Sequence, residues 1–129
     1  MANPNIVSVA TILGGNAGWN LSTGLTTTLA TVTAEYILKI NRIVVSNVDG
    51  SSAADVDLFV DGMGSGTTGV TTTGADATVY LAKVISVPAN ASLVVSDTPI
   101  YLMEGDILKG GSSAASSLDL FISYETLID

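Results

Sequence analysis

The sequence predicts an all-β fold: a single β-sandwich, jelly-roll-like, of about eight strands with little or no helix. Three observations carry this. Threonine, valine, isoleucine, glycine and serine dominate the chain, whereas the helix formers Glu, Lys, Gln and Arg are scarce. Thr and Val suit pleated surfaces because a branched Cβ is stiff and packs well there. Apolar residues recur with period two, and no window keeps the i, i+3, i+4, i+7 spacing of a helix beyond a turn or two. Turn signals fall at the intervals usual for sandwiches and barrels. With 129 residues the chain is expected to form one domain, 1–129, large enough to bury a core without staples.

The first expected strand is Asn5 to Leu13, apolar on both faces, and Gly14-Gly15-Asn16-Ala17-Gly18 is expected to break it. Leu25 to Val32 is Thr-rich and suits a sheet edge. Tyr36 to Val48 is the longest run, and its phase changes partway. Tyr36, Leu38 and Ile40 point one way, then Ile43 and Val45 take over. A slip of one residue turns every later side chain to the opposite face, so a bulge belongs near Asn41-Arg42. Val48-Asp49-Gly50-Ser51 is a turn signal, since Asp-Gly tolerates the positive φ that tight turns demand.

Ala54 to Asp61 alternates, with Val56, Leu58 and Val60 opposite Asp55, Asp57, Phe59 and Asp61. Thr78 to Val87 follows, and Pro88 ends it by removing a ladder donor. Ala91 to Ser96, Pro99 to Met103 and Ile107 to Lys109 are short strands, the last entered through the Glu104-Gly105-Asp106 turn. Leu118 to Glu125 closes the series, with Leu118, Leu120, Ile122 and Tyr124 on one face. The Gly/Thr-rich stretch 62–77, with five glycines between Gly62 and Gly74, buries too little to offset its ordering entropy and is expected to be a long exposed loop.

Composition excludes several functions. Twelve acids against four bases (Lys39, Arg42, Lys83 and Lys109) give a net charge of −8, which repels phosphate backbones and makes no nucleic-acid groove. There is no cysteine and no histidine, so disulfides, thiolate chemistry, the usual zinc sites and histidine dyads or triads are absent. The opening Met1-Ala2-Asn3-Pro4-Asn5 lacks a basic signal-peptide region, and no apolar run approaches the roughly 18 residues of a membrane-spanning helix. The sequons at Asn20 and Asn90 are chance matches on this reading.

Motifs with chemistry are few. Gly64 to Gly69 matches the dinucleotide fingerprint literally, but the following Val70-Thr71-Thr72-Thr73-Gly74 is no helix start, so the phosphate has no dipole to meet. Asp55, Asp57 and Asp61 are the densest acidic group and could offer oxygens to calcium; their spacing is not an EF-hand's, and a solvated strand face is the expectation. The same carboxylates make no glycosidase cleft visible in sequence. The chain is expected not to be an enzyme, and to hold no cofactor or metal.

Candidate contact residues remain. Trp19, just after the glycine cluster, either anchors a partner or folds over the end of the core. Phe59 shares parity with aspartates, and Phe121 shares its face with Asp119, Ser123 and Glu125. Two phenylalanines on polar faces suggest a second contact layer, the alternative being cover by a loop of the same chain. Gly64, Gly66, Thr71 and Thr72 mark the insert as a candidate docking arm.

The stretches Ile85 to Val95, Pro99 to Ile107 and Leu118 to Glu125, with Met1 to Val7 and Lys39 to Gly50, resemble a family of small virion structural proteins of tailed phages infecting cyanobacteria and related marine bacteria. The resemblance covers most of the chain and departs at the Gly/Thr insert. It brings no catalytic or cofactor residue; Pro88, Gly105 and Tyr124 carry over as a strand stop, a hairpin turn and an inward aromatic. It implies a place in the particle and leaves head decoration, neck and tail open. With the acidic balance, the leading expectation is a capsid decoration (cement) protein on the outer surface of the major capsid lattice, and a neck or tail component is the alternative. The implied location is the virion, assembled in the host cytoplasm. The implied partners are the major capsid protein or other virion proteins and further copies of the chain, a trimer among the options. A carbohydrate-binding module is the alternative from another class. Neither nucleic acid nor membrane is expected as a partner.

Overall fold

The structure, a computed structural model, describes residues 11–64 and 72–128. Among these it contains nine strands and no helix: β1 (Thr11–Asn20), β2 (Thr28–Thr31), β3 (Tyr36–Asn47), β4 (Ala54–Asp61), β5 (Val79–Val87), β6 (Ser92–Ser96), β7 (Ile100–Leu102), β8 (Ile107–Ser112) and β9 (Leu118–Ile128). They form two antiparallel sheets. One runs β1-β9-β3-β6, with β7 also on β3, and the other runs β2-β8-β4-β5. β6 and β7 occupy successive stretches of the same edge of β3, at Ile43–Ser46 and Leu38–Ile40.

The pairing is nested. β1 pairs β9, β2 pairs β8, β3 pairs β6 and β7, and β4 pairs β5. The chain is thus one long hairpin whose tip is the β4–β5 connection, rolled so that β9 also meets β3 and β8 meets β4. Between the sheets lies the core of Ile40, Ile43, Val45, Val56, Leu58, Leu108, Leu118, Leu120 and Ile122, each essentially solvent-free. Alternation along the strands puts these residues on the inner faces.

The bulge falls where the phase change in β3 placed it. Ile40 stands opposite Tyr124 and Arg42 opposite Ser123, leaving Asn41 as the extra residue. Its amide donates to Glu125 Oε1 at 3.1 Å. The Asp49 turn also forms: the Asp49 carboxylate accepts from Ser51 N–H (2.8 Å) and Ser52 N–H (3.3 Å).

The nine strands among the described residues agree with the expected count of about eight. Several finer expectations are corrected. Gly14 to Gly18 does not end the first strand; β1 runs through it to Asn20, so Trp19 sits on a strand and not a loop. The reason lies on β9. Tyr124 is the register partner of Gly15, and a Cβ at Gly15 would come within 2.8 Å of its ring. The aromatic covers the glycine backbone and supplies the packing that the glycine lacks. Residues 5–10 of the expected first strand lie outside the described residues.

β8 likewise runs past Lys109 to Ser112, because Gly110 lets it close on β4, where a Cβ would collide with the Asp57 carbonyl. β9 continues past Glu125 to Ile128. Asp57 is no solvated residue: it is buried, and its Oδ1 accepts from Val84 N–H at 2.8 Å. Val84 there adopts φ 51°, an unusual conformation for a β-branched residue, beside the register shifts between β4 and β5.

Candidate functional site

Two surfaces gather residues from distant parts of the chain. The first is a cleft of about 500 Å³ between the sheets, lined by Ala17 and Trp19 of β1, Leu29 to Thr31 of β2, Val32 and Thr33 after it, Tyr36 and Leu38 of β3, and Ile122, Tyr124 and Thr126 of β9. Three of the chain's seven aromatic residues therefore share one cavity. The register explains the convergence, since Trp19 stands opposite Leu120, Gly15 opposite Tyr124, and Tyr124 opposite Ile40 on the inner face. Among the described residues no charged side chain lines the cleft. Trp19 also packs against the core, half-buried.

The cleft mouth is braced by the turn between β7 and β8. Val32 N–H donates to the Asp106 carbonyl (2.9 Å), and Gly105 N–H donates to the Val32 carbonyl (3.0 Å). Glu104 Oε2 accepts from Glu35 N–H at 2.8 Å, with Glu35 at φ 70°. Asp106 Oδ2 accepts from Met103 N–H at 2.9 Å. Burial pushes the Asp106 carboxyl up, with the Met103 hydrogen bond acting against it.

The second surface is the outer face of the five-stranded sheet, whose cross-strand rows follow from the register. One row is polar: Asn20, Asp119, Ser46 and Ser92. Within it Asn20 Nδ2 donates to Asp119 Oδ1 (2.8 Å), and the Ser46 and Ser92 hydroxyls lie 2.9 Å apart. The next row is Gly18, Phe121, Val44 and Val94. Phe121 is 46% exposed and Val94 44%. Beyond it come Asn16, Ser123 and the exposed Arg42. The following row is Gly14, Glu125, Lys39 and Tyr101, where Lys39 Nζ lies 3.8 Å from Glu125 Oε1.

The two phenylalanines part company. Phe121 is an exposed apolar ring between polar rows, whereas Phe59, on the opposite outer face, is only 4% exposed. Its neighbours across the ladder are Tyr80 and Lys109. The Phe59 and Tyr80 ring centroids lie 4.8 Å apart, and Lys83 Nζ sits 4.7 Å from the Tyr80 centroid. Phe59 is thus removed from the candidate contact, because its own chain covers it. Sequence parity told that the ring pointed away from the core but not that Tyr80 would lie beside it.

Asp55, Asp57 and Asp61 do not converge. Asp57 is committed to Val84, while Asp61 Oδ2 accepts from Lys109 Nζ at 2.7 Å and its Oδ1 from Thr78 Oγ1 at 2.7 Å. These bonds, that from Lys109 foremost, hold the Asp61 carboxyl down at about 2. Among the described residues no group of three or more acidic side chains could hold a metal ion. Of the insert's candidates, Gly64 (φ 95°) and the exposed Thr72 are described, and Gly66 and Thr71 lie outside the described residues. Met63 N–H donates to the Ala77 carbonyl at 3.1 Å, tying the two ends of the connection together.

No protein-family model matches this sequence, and no curated protein matches it either.

Proposed function

We propose that the chain is a structural protein of a tailed-phage virion, seated as a decoration protein on the outside of the capsid lattice. The observation that carries this is the Phe121–Val44–Val94 row, an apolar strip between two polar rows of the sheet face in which Phe121 and Val94 are exposed and Val44 is half-buried. Isolated exposed apolar residues need no explanation, but a contiguous row across neighbouring strands suits a contact. The sequence resemblance points to the same class. So does the nested strand order, which fits an eight-position jelly roll with β6 and β7 sharing one place, a fold recurrent in capsid and lectin domains. That last support is analogy, since one fold serves many functions. The net charge of −8 favours the outer surface over a position against packaged DNA.

Quantitative mass spectrometry of purified particles tests the proposal. A copy number on the scale of the major capsid protein supports decoration. A handful of copies moves the chain to the neck or tail, and absence from particles overturns the reading.

One observation favours a second reading. Trp19, Tyr36 and Tyr124 lining an uncharged cleft with Thr31, Thr33 and Thr126 offer the stacking faces and hydroxyls that a neutral saccharide would use. Trp19 is the chain's sole tryptophan, so its fluorescence reports occupancy directly. Titration with neutral oligosaccharides supports this reading if emission shifts saturably, and removes it if emission stays flat.

A further inference from the structure

We infer that the outer face of the five-stranded sheet binds a second copy of this chain, about a two-fold axis lying along the Phe121–Val44–Val94 row. The argument rests on what flanks that row. On one side stands Asp119, and on the other the exposed Arg42. Both project outward with Phe121, and the two belong to adjacent strands, β9 and β3.

Two sheets packed face to face lie roughly 10 Å apart with strands nearly aligned. A two-fold axis along the row reverses the strand direction and keeps each strand over its counterpart. Phe121 then meets Phe121, Val44 meets Val44, and the Asp119 side of one copy lies over the Arg42 side of the other. Two Asp119–Arg42 pairs form across the interface, one on each side of the apolar strip. An axis along the strands would instead set Asp119 against Asp119 and Arg42 against Arg42. The charges therefore select one of the two orientations, in the self-complementary manner that a two-fold contact requires.

The remaining charges on the face agree with this. Glu125 and Lys39 pair with each other one row further out. There they form the rim of the contact, while Ser46, Ser92, Ser123 and Asn16 offer uncharged hydrogen-bonding groups beside the strip. The strip is short, so association of the free chain is weak. It tightens when copies are already held near each other. The inference goes beyond the virion reading and does not depend on it, because its test uses the purified chain alone.

The test is sedimentation equilibrium of the full chain up to about 1 mM, at low and high salt. The expected result is a reversible monomer–dimer equilibrium that weakens with salt. Phe121→Ser, Arg42→Glu and Asp119→Arg should each raise the dimer dissociation constant about tenfold or more, since each removes the strip or sets like charges together. The double change Arg42→Glu with Asp119→Arg should bring it back to within about threefold of the original. Val84→Asn, which alters an exposed valine on β5 of the other sheet, should leave it unchanged. Melting of each variant checks that the monomer is intact; should Phe121→Ser fail to fold, the charge pair decides alone. A chain that stays monomeric at the highest concentration overturns the inference. So does a dimer insensitive to the charge reversals, which would point to pairing through the sheet edges.

Discussion

Phe59 and Phe121 look alike in sequence, each flanked by acids at strand spacing, yet they differ physically. Phe59 lies beside Tyr80 and is buried, while Phe121 is half in water. Phe59→Ala should cost about 3–5 kcal/mol, the usual loss for a buried phenylalanine, whereas Phe121→Ser should move denaturant midpoints little. Equal losses for the two would contradict this assignment. Asp61 gives the residue scale its pH dependence. Lys109, Thr78 and Gly62 hold its carboxyl at about 2 against an ordinary 3.8. On acidification the unfolded chain takes up this proton first, so the contribution is complete above about pH 4 and is lost between about pH 4 and 2. The advantage of the native protein over Asp61→Asn in melting temperature should therefore shrink from about pH 5 to pH 2 and fall with added salt, because the pair is partly open to solvent. A constant difference would show that the carboxylate charge is not the cause. Asp106 acts with the opposite sign: burial raises its pKa, so its ionised form weighs against the fold at neutral pH and that penalty fades in acid.

At the scale of elements, β1 separates what a sequence displays from what a partner strand decides. Gly14 and Gly15 are adjacent and indistinguishable by propensity. A Cβ at Gly14 meets nothing within 4 Å, whereas one at Gly15 meets the Tyr124 ring at 2.8–2.9 Å. Gly15→Val should lower stability by about 1–3 kcal/mol by displacing that ring. Gly14→Thr should leave it unchanged or raise it, since threonine suits a strand better than glycine. Thermal melts of the two variants check the contrast, and a loss at Gly14 matching that at Gly15 would contradict it. The bulge at Asn41 was legible because it shifts the apolar phase within one strand, from Ile40 to Ile43. The course of β1 was not, because the ring that accommodates Gly15 comes from the far end of the chain. The same holds for the cleft: Trp19, Tyr36 and Tyr124 show no common pattern until β9 lies between β1 and β3. The burial of Asp57 was equally hidden, since its partner, the Val84 amide, belongs to another strand.

For the molecule as a whole, the nested pairing makes the last strand the keystone. β9 lies between β1 and β3, pairing with both along nearly its full length, and it supplies Leu118, Leu120 and Ile122 to the core at 1% exposure or less. Without it β1 has no neighbour among the described strands, because its pairing is with β9. The five-stranded sheet would then keep only β3 with the short β6 and β7, and the inner face of the other sheet would lose its cover. Removing three large buried aliphatic side chains, at about 2–5 kcal/mol each, costs about as much as the whole 5–15 kcal/mol stability of a typical domain, before the lost strand pairing is counted. A chain ending before Leu118 should therefore be unfolded, with a collapsed amide proton dispersion and no cooperative melt. A folded truncation would mean that β1 pairs β3 directly and that the nested order is not obligatory. The same topology sets the folding rate. Outermost pairs such as Thr11 with Ile128 close loops nearly as long as the chain, so refolding of the intact protein should fall in the milliseconds-to-seconds range of non-local all-β domains. Stopped-flow relaxation in microseconds would be incompatible with a core that waits for its final strand.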